Sequence, residues 1–189
     1  MTKEDALTMK AVLLYIIKNS SEDKRDVYCI VKTAYYAQQL HFAKWALPIF
    51  KDKICALPFG PVPSLMYDIL KLSRGEVEAK AFLHKNGVDK IAEAIGWEYE
   101  SYYAKEEPDM DYLSTSNIEC LNEAISKVAS MSFSEIKNDT HGEELNRAYF
   151  QSSNKVMDNL NIAREAHVSE EAVEYLQEAL DWERVKLWT

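Results

Sequence analysis

The sequence contains few residues that break regular structure, since glycine and proline each occur five times in 189 residues. This scarcity, together with a hydrophobic share of 47%, excludes the collagenous, low-complexity and disordered classes of protein. Basic residues are also in the minority, because 22 lysines and arginines stand against 31 aspartates and glutamates. The formal net charge of -9 disfavours nonspecific binding to nucleic-acid phosphates and to anionic lipid. We predict one compact unit that buries its own core.

Long hydrophobic runs and paired cysteines are absent as well. The run Ala11–Ile17 is far shorter than the roughly twenty apolar residues of a membrane span, and no signal cleavage site follows it. The cysteines Cys29, Cys55 and Cys120 are odd in number and widely spaced, without a CxxC pair. This usage is typical of a reducing compartment. We therefore expect a cytoplasmic protein with no membrane contact.

The charge is distributed unevenly along the chain. Residues 1–95 carry 14 basic and 11 acidic side chains, a net charge of +3. Residues 96–189 carry the other 8 basic and 20 acidic side chains, a net charge of -12. The two halves are therefore suited to partners of opposite charge.

Apolar spacing predicts a mainly α fold with a small β-hairpin. A first helix is expected from Asp5 to Asn19 and a longer one from about Asp26 to Lys44. Pro63 is well placed to open a third helix from Ser64 to Leu72, because its missing N–H would be unpaired there in any case.

The hairpin is predicted between the second and third helices. Ile49 and Phe50 form its first expected strand, and the segment 54–56 forms its second, around a polar turn at 51–53. Two prolines in the segment 60–63 predict irregular structure there.

Residues 76–112 are the hardest to place from the sequence. A short helix is expected around Val88–Ile95, and the alternation in Trp97–Tyr103 predicts a strand. The acidic stretch Glu98–Asp111 is expected to be a solvated loop that holds no ion.

Capping signals place the later helices. Either Ser114 or Ser116, the latter in a capping box with Glu119, is expected to begin one helix. A second box at Ser132 and Glu135 predicts a short helix that reaches about Thr140. The remaining features are a helix over 144–150, a polar break at 151–154, an apolar segment up to His167, and a last helix capped by Ser169.

The segment Ile162–Leu176 has the apolar spacing of a helix-turn-helix. Its second helix would present Glu170, Glu171, Glu174 and Glu178 to DNA, and carboxylates repel phosphates. We favour a packed helix corner and keep a DNA-binding transcriptional regulator as the alternative function.

Motifs for catalysis are missing. The sequence has no glycine-rich phosphate loop, no nucleophile elbow and no recognisable pair of catalytic carboxylates. The four histidines are His41, His84, His141 and His167, and no two of them have the spacing of zinc ligands. We predict no enzyme, no metal and no cofactor, and we expect His41 in the core or at its rim. A hydrolase that pairs Cys55 or Cys120 with a histidine ranks last.

Aromatic residues cluster in the stretch that contains the Gly-Pro-Val-Pro turn. They are Tyr35, Tyr36, Phe42, Trp45, Phe50, Phe59 and Tyr67. Such a cluster forms a core, or a protein-binding surface where an amphipathic Tyr or Trp is left at the rim.

The order and spacing of several motifs resemble the Panacea-domain family of bacterial and phage antitoxins. The motifs are the segments 31–40, 48–50, 54–56, Gly60-Pro61-Val62, Leu113-Ser114, 131–136 and Thr140-His141. The resemblance covers roughly residues 5–150. Two positions depart from the family pattern, because Leu57 and Asn146 stand where the family often has Trp.

The resemblance implies a mostly helical domain that acts as the antitoxin of a two-gene pair, by binding a toxin protein encoded by the adjacent gene. It implies no catalysis. We therefore predict an antitoxin domain over 1–150 and a C-terminal helical extension over 151–189 that packs on the core or helps to grip the partner. The candidates for the binding surface are Tyr36, Gln38, Trp45, Gly60, Pro61, Tyr67 and His141. The sequence leaves open whether the chain forms a homodimer.

Overall fold

The computed structural model describes residues 2–76 and 88–186, with side chains up to Asp181. The described residues confirm the mainly α fold. Their α-helices are α1 (Lys3–Asn19), α2 (Val27–Trp45), α3 (Ser64–Ser73), α4 (Val88–Glu93), α5 (Thr115–Ala129), α6 (Phe133–Asp139), α7 (Glu143–Gln151), α8 (Asn159–Glu165) and α9 (Glu170–Lys186). Short 3-10 helices lie at Glu22–Lys24 and Met110–Tyr112. Two antiparallel hairpins, each of two strands, complete the described fold.

Helix α2 is the centre of the core. Twelve of its 19 residues are buried, which leaves little of it facing solvent. It packs against α1, α3, α5, α8 and the first hairpin. A helix with this much buried surface is held by its neighbours on several sides, so it fixes the positions of the elements around it.

Most of the predicted helix starts are confirmed. Ser132 and Glu135 form the expected capping box at α6. At α5 the cap is Ser114, which forms its box with Asn117. The alternative of a box between Ser116 and Glu119 is wrong, because Ser116 already lies inside the first turn and its hydroxyl is 2.9 Å from that of Ser114.

The first hairpin lies later in the chain than predicted. Its strands are β1 (Ile54–Leu57) and β2 (Gly60–Pro63), and Ile54 pairs with Pro63. The predicted strand at 49–50 is wrong, and so is the prediction of irregular structure at 60–63. Only alternate residues of an antiparallel strand donate N–H groups to its partner, so prolines at every second position are compatible with β2.

A second hairpin occupies the segment that was predicted as one strand from Trp97 to Tyr103. The strands are β3 (Ile95–Glu98) and β4 (Ser101–Ala104). Tyr99 and Glu100 connect them with φ values of 50° and 63°, and two left-handed residues are what a tight two-residue hairpin turn requires. The predicted helix beginning at Val88 is confirmed up to Glu93. The part of the hard-to-place stretch at 77–87, which includes His84, lies outside the described residues.

The prediction of a solvated loop over Glu98–Asp111 is wrong for residues 98–104, which belong to the second hairpin. The glutamates that follow contact the first helix through ion pairs. Glu106 lies 2.7 Å from Lys10, and Glu107 pairs with Lys18. These glutamates are about half exposed or more, so each pair contributes little stability on its own.

Residues after 151 add a third strand-like segment to the first hairpin. The N–H of Ala56 donates to the carbonyl of Lys155 at 2.8 Å, and the N–H of Met157 donates to the carbonyl of Ile54 at 2.8 Å. Helices α8 and α9 follow, and Ser169 caps α9 as predicted, through a bond from the Ala172 N–H.

A buried carboxylate ties this segment to the rest of the fold. The side chain of Glu144 on α7 is 2% exposed and accepts two 2.6 Å bonds from Arg147. It also accepts the backbone N–H of Asp158 at 2.6 Å and the amide of Asn161 at 2.9 Å. These bonds satisfy the charge that burial would otherwise penalise.

We predict that Glu144→Gln lowers the free energy of unfolding by about 1 to 3 kcal/mol at neutral pH, because the amide cannot accept all four bonds. Urea denaturation measures the change. The control is Glu143→Gln on the exposed side of the same helix, for which we expect a change within about 0.5 kcal/mol. Equal effects of the two substitutions would show that Glu144 does not anchor the C-terminal segment.

Candidate partner-binding site

A fully buried lysine lies beneath the first hairpin. Lys32 on α2 has 0% of its surface exposed, and its Nζ donates to the carbonyl of Pro61 at 2.8 Å. The ring centroid of Tyr28, one turn earlier, is 5.4 Å from the same nitrogen. Burial lowers the pKa of Lys32 to about 7, and no acidic side chain in the described part of the chain forms an ion pair with it. Charged and neutral forms therefore coexist near neutral pH.

Gly60 allows the hairpin to approach this amine. Its φ is +101°, in the left-handed range that favours glycine. A Cβ at this position would lie 2.5 Å from Lys32 Nζ and 2.7 Å from Thr140 Oγ1. The hairpin therefore contacts both α2 and the end of α6 at a point where only a hydrogen atom fits.

Helix α6 is attached to α2 by a second set of polar contacts. Together with the contacts of Lys32, we call them the polar base. The hydroxyl of Tyr36 donates to Asp139 Oδ2 at 2.6 Å. Lys127 lies 2.8 Å from the same carboxylate oxygen, and its ammonium stands 4.1 Å from the centroid of the Tyr36 ring. Burial and the bond to Asp139 raise the pKa of Tyr36, so its hydroxyl remains a donor at every physiological pH. The short helix thus docks through a polar cluster that joins α2, α5 and α6.

Three aromatic rings extend from this base toward solvent. We call Tyr28, Phe59 and Phe133 the aromatic ridge. The Tyr28 and Phe133 centroids are 4.5 Å apart, and those of Phe59 and Phe133 are 5.8 Å apart. Phe59 is 56% exposed and Phe133 is 49% exposed. Lys137 stands 5.7 Å from the Phe59 centroid, which adds a cation beside the apolar surface.

Four of the predicted surface residues meet at this place. Tyr36, Gly60 and Pro61 are buried under the ridge. His141 is half-buried at the end of α6, and its Nδ1 bonds the carbonyl of Lys137. The first three lie in the interior and hold the base of the ridge, so any effect they have on a partner acts through the position of the exposed rings.

The other three predicted residues lie elsewhere. Gln38 is buried, and its amide accepts the Ile49 N–H at 2.8 Å and donates to the Phe50 carbonyl at 3.1 Å. Tyr67 is half-buried on α3. Trp45 is 48% exposed at the far end of α2. It lies thirteen positions after Lys32, about 20 Å along a helix.

Sequence reasoning missed the residues that shape the ridge. The sequence marks Phe59 only as one of the clustered aromatics, and it marks Lys32 and Phe133 only as members of the motif segments 31–40 and 131–136. The sequence does carry a signal for Phe133. It directly follows the capping residue Ser132, which places it in the first turn of α6. No sequence signal marks Lys32 as buried, since its surroundings come from β2 and α6.

Full or partial burial shields the three thiols and the imidazole of His41. Burial raises the pKa of the Cys29 thiol to about 12, and burial raises the pKa of Cys55 and of Cys120 as well. His41 is 3% exposed, in agreement with its expected place in the core. Its Nδ1 lies 2.7 Å from the Leu47 carbonyl. Within residues 2–76 and 88–186, no three histidine, cysteine, aspartate or glutamate side chains are grouped as metal ligands.

The described elements define a mainly helical domain whose hairpin and helix α6 hold exposed aromatic rings on a fixed polar base. The family model described as "Antitoxin SocA-like, Panacea domain" matches residues 30–146. The chain belongs to this antitoxin family, as its motifs predicted. No curated protein and no solved structure matches the chain.

The match includes Lys32, Gly60, Phe59 and Phe133, and it ends before helix α8. Among the helices of the described residues, none has the length and apolar character to cross a lipid bilayer.

We predict that Gly60→Ala destabilises the fold more than Gly75→Ala. Both glycines have positive φ, but a Cβ at Gly75 would meet nothing within 4 Å. Gly75→Ala therefore reports backbone strain alone, about 1 to 2 kcal/mol. Gly60→Ala adds the clash with Lys32 and Thr140, a further 1 to 3 kcal/mol or so. Thermal and urea unfolding measure both variants, and equal losses would contradict the close approach.

We also predict that stability rises from pH 7 to pH 9 because of Lys32. Its folded pKa of about 7 lies below the ordinary value of 10.5, so the unfolded chain binds the proton more tightly across this interval. Unfolding free energy then increases with pH, by up to about 1.4 kcal/mol per pH unit. The raised pKa values of the three cysteine thiols oppose this trend as the pH approaches their ordinary value of 9.0, so the rise is expected to be steepest between about pH 7 and pH 8.

Urea unfolding at a series of pH values tests this prediction. Lys32→Met has no titrating amine and should lose the rise. Lys90→Met removes an exposed lysine and should keep it. A rise of equal size in all three proteins would assign the pH dependence to other groups.

Proposed function

We propose that the chain is a non-enzymatic antitoxin that neutralises its cognate toxin by direct binding, with the toxin encoded by the adjacent gene and both proteins in the cytoplasm. Membership of the antitoxin family supports a toxin as the partner. In this proposal residues 1–150 form the antitoxin domain, and residues 151–189 form an extension attached to it.

The aromatic ridge is the observation that carries the proposal. Exposed aromatic rings at the centre of an interface bury large apolar areas and dominate binding energy. Here two half-exposed phenylalanines stand on elements that the Lys32 and Asp139 clusters hold in place. A rigid ridge loses little conformational entropy when a partner covers it, which favours tight binding.

The alternative functions receive less support from the described residues. A cysteine hydrolase needs an accessible thiolate, whereas burial raises the pKa of Cys55 and of Cys120. A DNA-binding regulator would use α8 and α9, but the exposed residues at the start of α9 include Glu170, Glu171 and Glu174. Carboxylates in that position repel the phosphate backbone.

We predict that Phe59→Ala and Phe133→Ala each weaken binding to the adjacent gene product by about 2 kcal/mol or more, roughly thirtyfold in Kd. The control is Phe150→Ala, which removes a ring that is 79% exposed on α7 and whose ring contact is with Tyr149. Growth rescue is measured by co-expression with the adjacent gene. Binding is measured as the affinity between the two purified proteins.

All three variants should keep the wild-type circular dichroism spectrum, because the rings that they remove are largely exposed. Loss of growth rescue in the ridge variants but not in Phe150→Ala supports the proposal. Wild-type affinity in both ridge variants would show that the toxin binds at another surface. Absence of any complex with the wild-type chain would contradict direct neutralisation of this gene product.

A further inference from the structure

A second surface lies at the opposite end of α2 from the aromatic ridge. The last turn of α2 and the first three turns of α9 enclose a groove of about 590 Å³ that is open to solvent. Trp45 forms part of one wall and Tyr175 forms part of the other. They are 48% and 56% exposed, so about half of each aromatic side chain is open to solvent.

The described side chains make the α9 wall of the groove negative. Glu171, Glu174 and Glu178 line its α9 wall at helical spacing. None of the three has an ion-pair partner in the part of the chain whose side chains are described. The cation at the groove, Lys44, is engaged with Glu119 at 2.9 Å and with Glu123 at 2.5 Å on α5.

This combination of groups selects a particular ligand chemistry. A guanidinium group stacks on Trp and Tyr faces and forms paired hydrogen bonds with carboxylates. The open shape suits a segment of polypeptide, and the three charges at i, i+3 and i+7 match a partner helix that carries cations at the same spacing. A nucleic acid or a second copy of this acidic chain would meet electrostatic repulsion instead.

We infer that the groove between Trp45 and Tyr175 binds an arginine-bearing segment of the toxin. This inference rests on the proposed function. It adds a second contact to the aromatic ridge, formed by Trp45 from the family-matched region and by a helix that lies beyond it. The wall supplied by α9 then makes the choice of partner depend on residues outside the shared domain.

The first experiment needs no toxin. A fluorescent peptide of about twelve residues carries arginines at i, i+3 and i+7, to mirror the three glutamates. Its anisotropy is titrated with the full-length chain and with the triple variant Glu171→Gln, Glu174→Gln, Glu178→Gln. The matched control is Glu93→Gln, Glu98→Gln, Glu100→Gln, which removes the same charge from exposed positions elsewhere.

We expect the groove variant, and Tyr175→Ala separately, to weaken peptide binding about tenfold, and the control variant to change it less than about twofold. Equal weakening by the two triple variants would show attraction to the overall negative charge and would overturn the inference. No binding of the peptide to the wild-type chain would also overturn it.

The second experiment uses the complex with the adjacent gene product. We expect the groove variant to slow association about tenfold at low ionic strength, while the control variant stays near wild type. A groove variant that associates at the wild-type rate, while the ridge variants fail to bind, would refute the groove and leave the antitoxin function intact. If the wild-type chain forms no complex, the proposed function fails, and the peptide titration alone then decides the chemistry of the groove.

Discussion

The contact between the buried amine of Lys32 and the carbonyl of Pro61 is the constraint on which the rest of the site depends. It places a titratable cation in the core with a single backbone acceptor, and desolvation brings its pKa down to about 7. Gly60 makes the contact possible, because any side chain there would displace the amine. The free-energy cost of burying the Lys32 amine therefore depends on the position of the hairpin, because the hairpin supplies its hydrogen-bond acceptor. The exposed ring of Phe59 takes its position from that same hairpin.

Helix α2 organises two surfaces with different chemistry. Near its beginning, Lys32 supports the hairpin and the aromatic ridge. At its end, Trp45 faces the acidic wall of α9 across an open groove. The ridge offers apolar area beside a lysine, whereas the groove offers aromatic faces beside carboxylates. A partner that contacts both would need an apolar patch and a basic segment spaced by roughly the length of the helix.

The sequence predicted the parts of the fold that depend on local patterns. The helical periodicity and the capping box at Ser132 placed helices close to their observed positions. The sequence pattern places the first hairpin too early in the chain, because Ile49 and Phe50 have the residue types of a strand. In the structure their backbone is bound by the side chain of Gln38. The sequence likewise predicts only the part of the site that local patterns mark. Gly60 is marked by its motif, but the burial of Lys32 arises from elements that are remote in sequence.

The central claim is that a toxin covers the aromatic ridge, and hydrogen–deuterium exchange of the chain with and without its bound toxin tests it most directly. The account predicts slower exchange at the amides of Phe59 and Gly60 and in the first turn of α6, with further protection in the early turns of α9. Exchange that is unchanged at the ridge, and slowed only in distant elements such as the β3–β4 hairpin, would contradict it.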